Sequence, residues 1–184
     1  MVKLVSKSPC DGILPLEIKG ILLTETKPWV ITSVAPYTGQ QAGASAALKA
    51  LIGAGLPEPN RSTGREGARV VWTGAGQAMV IGAEVDASLA QHAALTDQSD
   101  AWVVFRLEGQ GVEDVLARLT PLDLNPGVFK PGHAARSLLG HMSAIFLRVS
   151  GEAFQIMVFR SMARTAVHEL EITMRAVAAR AALA

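Results

Sequence analysis

The sequence predicts an α+β protein in which antiparallel sheets are covered by helices. Three observations predict it. Short runs of β-branched and aromatic residues alternate with turn residues, two stretches space their apolar residues as helices do, and the order strand, helix, hairpin occurs twice. Composition supports a folded chain: of 184 residues, 49% are hydrophobic and 18% charged, too apolar for disorder and long enough for one well-cored domain over 1–184.

Leu22 to Thr26 and Trp29 to Ala35 are strand-like on either side of Lys27-Pro28. Thr38 then opens a helix of small residues that runs to about Gly55. Pro57 to Gly67, rich in Pro, Asn, Ser, Gly and charge, is expected to be an exposed loop. Ala68 to Thr73 and Gln77 to Ile81 form a hairpin about Gly74-Ala75-Gly76, followed by a short helix near Asp86 to His92. The second half offers a strand at Trp102 to Glu108, a helix at Val112 to Leu119, and strands at Ala144 to Val149 and Ala153 to Phe159. In the final segment, Met162 to Leu183, residues Ala163, Val167, Leu170, Met174, Val177 and Ala181 make one apolar stripe of a helix. Ser161 is placed to cap that helix; a nucleophile elbow would need glycines where Phe159 and Ala163 stand.

The echo between halves reaches residues. Trp29-Val30-Ile31 matches Trp102-Val103-Val104 at an offset of 73, and Ala75-Gly76-Gln77-Ala78-Met79 matches Ser150-Gly151-Glu152-Ala153-Phe154 at 75. A degenerate duplication with halves at about 21–92 and 100–181 accounts for both; chance likeness of short apolar strands is the alternative.

Charge and motifs exclude several functions. The formal charge is +1, too small for a global field that would hold nucleic acid or an anionic membrane, and no RNP pattern of aromatics is present for a ferredoxin-like sheet to bind RNA. The single cysteine, Cys10, excludes an internal disulfide and a cysteine-built metal cluster within the chain. The first ten residues have no uninterrupted apolar core of a secretory signal, and Ala42 to Leu56 is too short and interrupted by Lys49 to span a bilayer, so a soluble cytoplasmic protein is expected. His168-Glu169 starts like a zinc protease motif, but Ile172 holds the second ligand position. His133 and His141, if separated by a strand, stand roughly 26 Å apart and cannot share an ion. Gly109-Gln110-Gly111 opens a helix as a dinucleotide fingerprint would, yet Asp114 replaces the third glycine and Glu113 adds a second repelling charge. Gly64-Arg65-Glu66-Gly67 lacks the Lys-Ser/Thr ending of a phosphate loop. No catalytic, cofactor-binding or metal-binding residue is therefore assigned.

What remains points to a partner. Residues 97–123 hold six acids and two bases, whereas residues 130–184 hold seven bases (Lys130, Arg136, Arg148, Arg160, Arg164, Arg175 and Arg180) and three acids. Such poles steer docking, or else pair with each other inside the fold. Arg160 and Arg164, at the start of the final helix, are the candidate partner-interface residues. If Val103, Phe105 and Leu107 face helices, Trp102, Val104 and Arg106 face the other way, joined by Phe146, Arg148, Gln155, Met157 and Phe159. That mixed face is too apolar for water and needs a cover, expected from the other half or else from another subunit.

The run Ala94-Leu95-Thr96-Asp97-Gln98-Ser99-Asp100-Ala101-Trp102, with Arg106-Leu107-Glu108-Gly109 and Val115-Leu116-Ala117-Arg118-Leu119-Thr120-Pro121-Leu122-Asp123-Leu124, resembles the gamma subunit of heterotetrameric sarcosine oxidase. Phe129-Lys130-Pro131-Gly132-His133-Ala134-Ala135-Arg136, His141 and Phe159-Arg160-Ser161 fit it too, and the same stretch more weakly resembles the N-terminal part of the glycine-cleavage aminomethyltransferase, a folate-binding family. The resemblance implies that family's α+β fold and a non-catalytic small subunit. Its complex demethylates sarcosine to glycine, with formaldehyde or methylene-tetrahydrofolate and hydrogen peroxide as the other products. It also implies that flavins, NAD, folate and zinc belong to the larger partner subunits and none to this chain. The alternative is a free-standing folate or small-molecule binder of the aminomethyltransferase-like family, which would need a pocket of convergent polar groups.

Overall fold

The computed structural model describes residues 7–27 and 30–183; Trp29, part of the sequence echo, lies outside the described residues, as does the N-terminal end of the first ten. Eleven strands form two antiparallel sheets, and the fold class is α+β as predicted. One sheet runs β1 (Leu16–Ile18), β2 (Ile21–Thr26), β8 (Trp102–Glu108), β11 (Ala153–Phe159), β10 (Met142–Ser150), β9 (Ala134–Leu139). The other runs β4 (Ser62–Arg65), β5 (Ala68–Gly74), β6 (Gln77–Ile81), β3 (Ile31–Pro36), β7 (Ala93–Asp97).

Three cores separate four layers. Helices α2 (Val112–Leu116) and α3 (Ala163–Ala181) cover the outer face of the first sheet, where Phe105, Leu107, Phe146 and Phe154 meet Val115, Leu116, Val167 and Leu170. Helix α1 (Gln41–Ile52) and a 3-10 turn at Ala87–Gln91 cover the second, through Ala44, Leu48 and Leu89 against Val34, Val70 and Val80. Between the sheets, Ile31, Val71, Met79 and Ile81 pack on Trp102, Val104, Ile145 and Met157. The apolar face of β8 is thus covered by the other sheet of the same chain. Phe146 and Arg148 are corrected to the helix side, because Phe146 lies opposite Ile156 and Arg148 opposite Phe154, and directly opposed residues share a face.

The connectivity repeats. β3-α1-β4-β5-β6 and β8-α2-β9-β10-β11 place their strands in the same spatial order, and β7 lies beside β3 as β2 lies beside β8. Since β2 leads into β3 and β7 into β8, each half lends its first strand to the other half's sheet. At the 73-residue offset Ile31 and Val104 both face the inter-sheet core. The 75-residue offset fails that test: Met79 faces between the sheets and Phe154 faces the helices. Both hairpins carry a bulge, after Trp72 and after Arg148, and aligning the bulges pairs Ala78 with Phe154. A one-residue slip turns every side chain to the wrong face.

Several elements differ from expectation. The first helix begins at Gln41, after a turn at Thr38 and Gly39, without a side-chain cap, and ends at Gly53 in the left-handed region (φ 73°). The expected loop at Pro57 to Gly67 contains β4, tied across to the first sheet by Ser62 N–H donating to the Gly132 carbonyl (2.8 Å) and Ala134 N–H to that of Asn60 (3.0 Å). Ser161 lies inside the 3-10 turn Arg160–Met162 and its side chain caps nothing among the described residues.

Candidate partner interface

The site grows from the end of β11. Phe159 pairs with Trp102 across the β8–β11 ladder and their rings stack at 4.5 Å, although Trp102 is buried and Phe159 is 42% exposed. The chain then turns through Arg160–Met162, fixed by Arg160 N–H donating to the Ala101 carbonyl (2.8 Å). That turn sends the Arg160 side chain toward the N-terminal segment, where Nη2 donates to the Lys7 carbonyl at 2.7 Å. Arg164 follows on the exposed face of α3. Arg160 lines two adjoining grooves, one of about 290 Å³ with Ser8, Glu25, Asp100 and Trp102, and one of about 520 Å³ with Lys7, Asp11 and Arg164.

The structure brings the two sequence-predicted arginines onto one surface, with the exposed Met162 between them in sequence and Phe159 just before Arg160. Aromatic, Met and Arg side chains are the types enriched at protein interfaces. Polar contacts organise the floor: Ser8 Oγ donates to the Glu25 carboxylate, and Lys7 pairs with Asp11 at 3.4 Å. Below it, Cys10 is buried, and its thiol is pushed up to about 11 by burial and by Glu25, with Arg164 and Arg160 opposing. A thiol so held stays protonated near neutrality. The Trp102 indole N–H is buried with no acceptor among the described residues.

Other residues singled out by the sequence have structural employment. Gly109, at φ 125°, lets the backbone pass the β1–β2 turn, since a Cβ there would lie 2.2 Å from the Gly20 carbonyl oxygen. Gly64 is likewise pressed against the Ala68 carbonyl. Strand β9 does separate His133 from His141, and among the described residues no three His, Cys, Asp or Glu side chains gather as a metal site.

Arg148, counted among the bases of residues 130–184, is one of the most deeply buried side chains, about 1% exposed. It pairs with Glu113 of α2 and donates to the carbonyls of Leu124 (3.0 Å), Phe129 (3.1 Å), Ser150 (3.2 Å) and Gly151. The acidic and basic poles therefore join here inside the fold. An arginine between apolar strand residues two positions from Phe146 was the signal available in the sequence.

No protein-family model and no curated protein matches the chain. Among solved structures, a chain of the heterotetrameric sarcosine oxidase from Corynebacterium sp. U-96 in complex with pyrrole 2-carboxylate superposes with a TM-score of 0.80 at 22% sequence identity, covering 94% of this chain and 96% of that one. The fold is that of a sarcosine oxidase chain. On this sarcosine oxidase fold, Arg160 and Arg164 stand where the last strand meets the long C-terminal helix, beside the strand that begins at Trp102. No helix among the described residues is long and apolar enough to cross a membrane.

Proposed function

We propose that the chain is the small, gamma-type subunit of a cytoplasmic heterotetrameric sarcosine oxidase, non-catalytic by itself. The observation that supports the reading is the breadth of the likeness: the match takes in 94% of this chain and 96% of the sarcosine oxidase chain. In the assembled enzyme, a partner's flavin would accept two electrons and two protons from sarcosine, and the oxidised methyl carbon would leave as formaldehyde, its oxygen supplied by water, or be taken up by tetrahydrofolate. Glycine is released, and oxygen takes the electrons to become hydrogen peroxide. Flavin, NAD, folate and zinc reside in the larger subunits. This chain contributes surface, with Arg160, Arg164 and the Phe159–Trp102 stack as the contact region. An Arg fork forms paired hydrogen bonds to carboxylates and stacks on apolar surface, which suits docking on an acidic partner.

The test is co-purification of the tagged chain from its native cell, followed by identification of the bound chains and assay of sarcosine-dependent peroxide. Larger flavin-bearing subunits and activity in the bound fraction are expected. A chain recovered alone, or one that by itself carries stoichiometric flavin or folate, overturns the reading.

A further inference from the structure

The two halves treat one place differently. In the second half, the bulged hairpin β10–β11, α2 and the loop after α2 enclose the Arg148 side chain. Its guanidinium lies 5.0 Å from the centre of the Phe154 ring. In the first half the corresponding elements are the bulged hairpin β5–β6, α1 and the loop after α1, and they leave an open cleft of about 370 Å³. The bulge register puts Trp72 at the position of Arg148, so no internal cation is available to fill the space. Counting from the helix caps Gln40 and Gly111, Ala42 stands at the position of Glu113.

The cleft nonetheless keeps the chemistry of a guanidinium receptor. Its aromatic wall is the half-buried Trp72, while Ala78 stands at the position of Phe154. Its carboxylate is Glu58, on the loop instead of the helix, and Glu58 is the one ionisable residue of the lining. Pro57 and Pro59 remove two N–H groups from that loop, and the carbonyls of Leu56, Pro57 and Pro59 accept no hydrogen bond among the described residues. One negative charge with no cation in the lining and an indole face complement a planar cation.

We propose that this cleft receives an arginine side chain presented by a partner protein chain, with its guanidinium against the Trp72 indole and the Glu58 carboxylate. The inference takes from the proposed function only that a partner chain exists, and the cleft lies on elements other than those carrying Arg160 and Arg164.

The full chain is titrated with N-acetyl-arginine amide while the indole N–H signals are followed by NMR, that of Trp72 being assigned with Trp72→Phe. A saturable shift of the Trp72 signal is expected, weaker by about threefold to fivefold for the uncharged citrulline analogue and for Glu58→Gln. No saturable shift, or equal binding of the citrulline analogue, overturns the inference. In the co-purification, Glu58→Lys, an exposed substitution whose unchanged melting temperature is checked, should weaken recovery of the partner chains. If the wild-type chain recovers its partners and Glu58→Lys recovers them equally at every salt concentration, the inference fails while the proposed function stands. If the wild-type chain recovers none, the proposed function fails, and the titration still decides whether the cleft takes a guanidinium.

Discussion

Arg148 shows how much one side chain can organise. It spends its five N–H donors on the hairpin turn, on a helix carboxylate and on two carbonyls of the 117–133 segment, so it fastens three pieces of chain that have little else in common. Replacing it by Met keeps apolar bulk but strands Glu113 and those carbonyls without donors. Arg148→Met should therefore lose about 3 kcal/mol of stability by denaturant titration, and Glu113→Gln, which preserves an acceptor, distinctly less. Cys10 offers a second test. Its thiol is raised from an ordinary 9.0 to about 11, first by burial and then by Glu25, so the folded state favours the protonated form. Its contribution to stability is then complete below the unfolded value and is lost as pH rises from about 9 toward 11. Native protein should resist iodoacetamide near neutral pH and react once unfolded; equal labelling of both states would contradict the burial argument.

At the level of elements, α3 is the clearest case of sequence pattern becoming structure. Of its predicted stripe, Ala163, Val167, Leu170 and Met174 are buried with β1 and β11 beside the helix, Val177 is half-buried and Ala181 is exposed at the helix end, while Ile172 points outward and is 51% exposed. Apolar character at Ile172 is thus not a core signal, because it falls off the stripe. Leu170→Ala should cost about 2–5 kcal/mol through the cavity it opens. Ile172→Ala should stay within about 0.5 kcal/mol, and chemical denaturation of the pair checks which face is buried.

At the scale of the molecule, the strand exchange between halves has a consequence for folding. β2 sits between β1 and β8, and β7 closes the sheet built by the first half, so each half expressed alone loses a strand of its own sheet. It also exposes its side of the inter-sheet core. Fragments 21–92 and 93–181, the second carrying β7, should each be unfolded by circular dichroism and recover structure only when mixed; a cooperative melt of either alone would show the halves to be independent. The same scale holds the docking prediction. Arg160→Glu with Arg164→Glu should slow association with the larger subunits and change its salt dependence, while the melting temperature moves little because Arg164 is exposed. Arginines that serve instead to neutralise the chain's own acids would show the opposite pair of results, lower melting temperature with unchanged assembly.

The seven strands that lie inside the two sheets, β2, β3, β5, β6, β8, β10 and β11, are all legible in the sequence, because each packs side chains on a core and carries the apolar pattern that packing demands. The four that escaped it, β1, β4, β7 and β9, are the four edges. Edge strands such as Ser62–Arg65 are held by backbone hydrogen bonds to one neighbour, and backbone bonds leave no mark on residue type. Arg160 and Arg164 could be chosen from charge and chain position, whereas the burial of Arg148 and the open cleft at Trp72 could not. Both depend on a hairpin register offset by one residue from the best sequence match, and on loops from elsewhere in the chain arriving at that hairpin. By itself the sequence determined the fold class, the order of the helices and inner strands and the lack of the common catalytic motifs. Which sheet each strand joins, which side chain fills which cleft, and which charges are spent inside the protein were decided by tertiary structure, since these depend on long-range contacts whose partners no local pattern names.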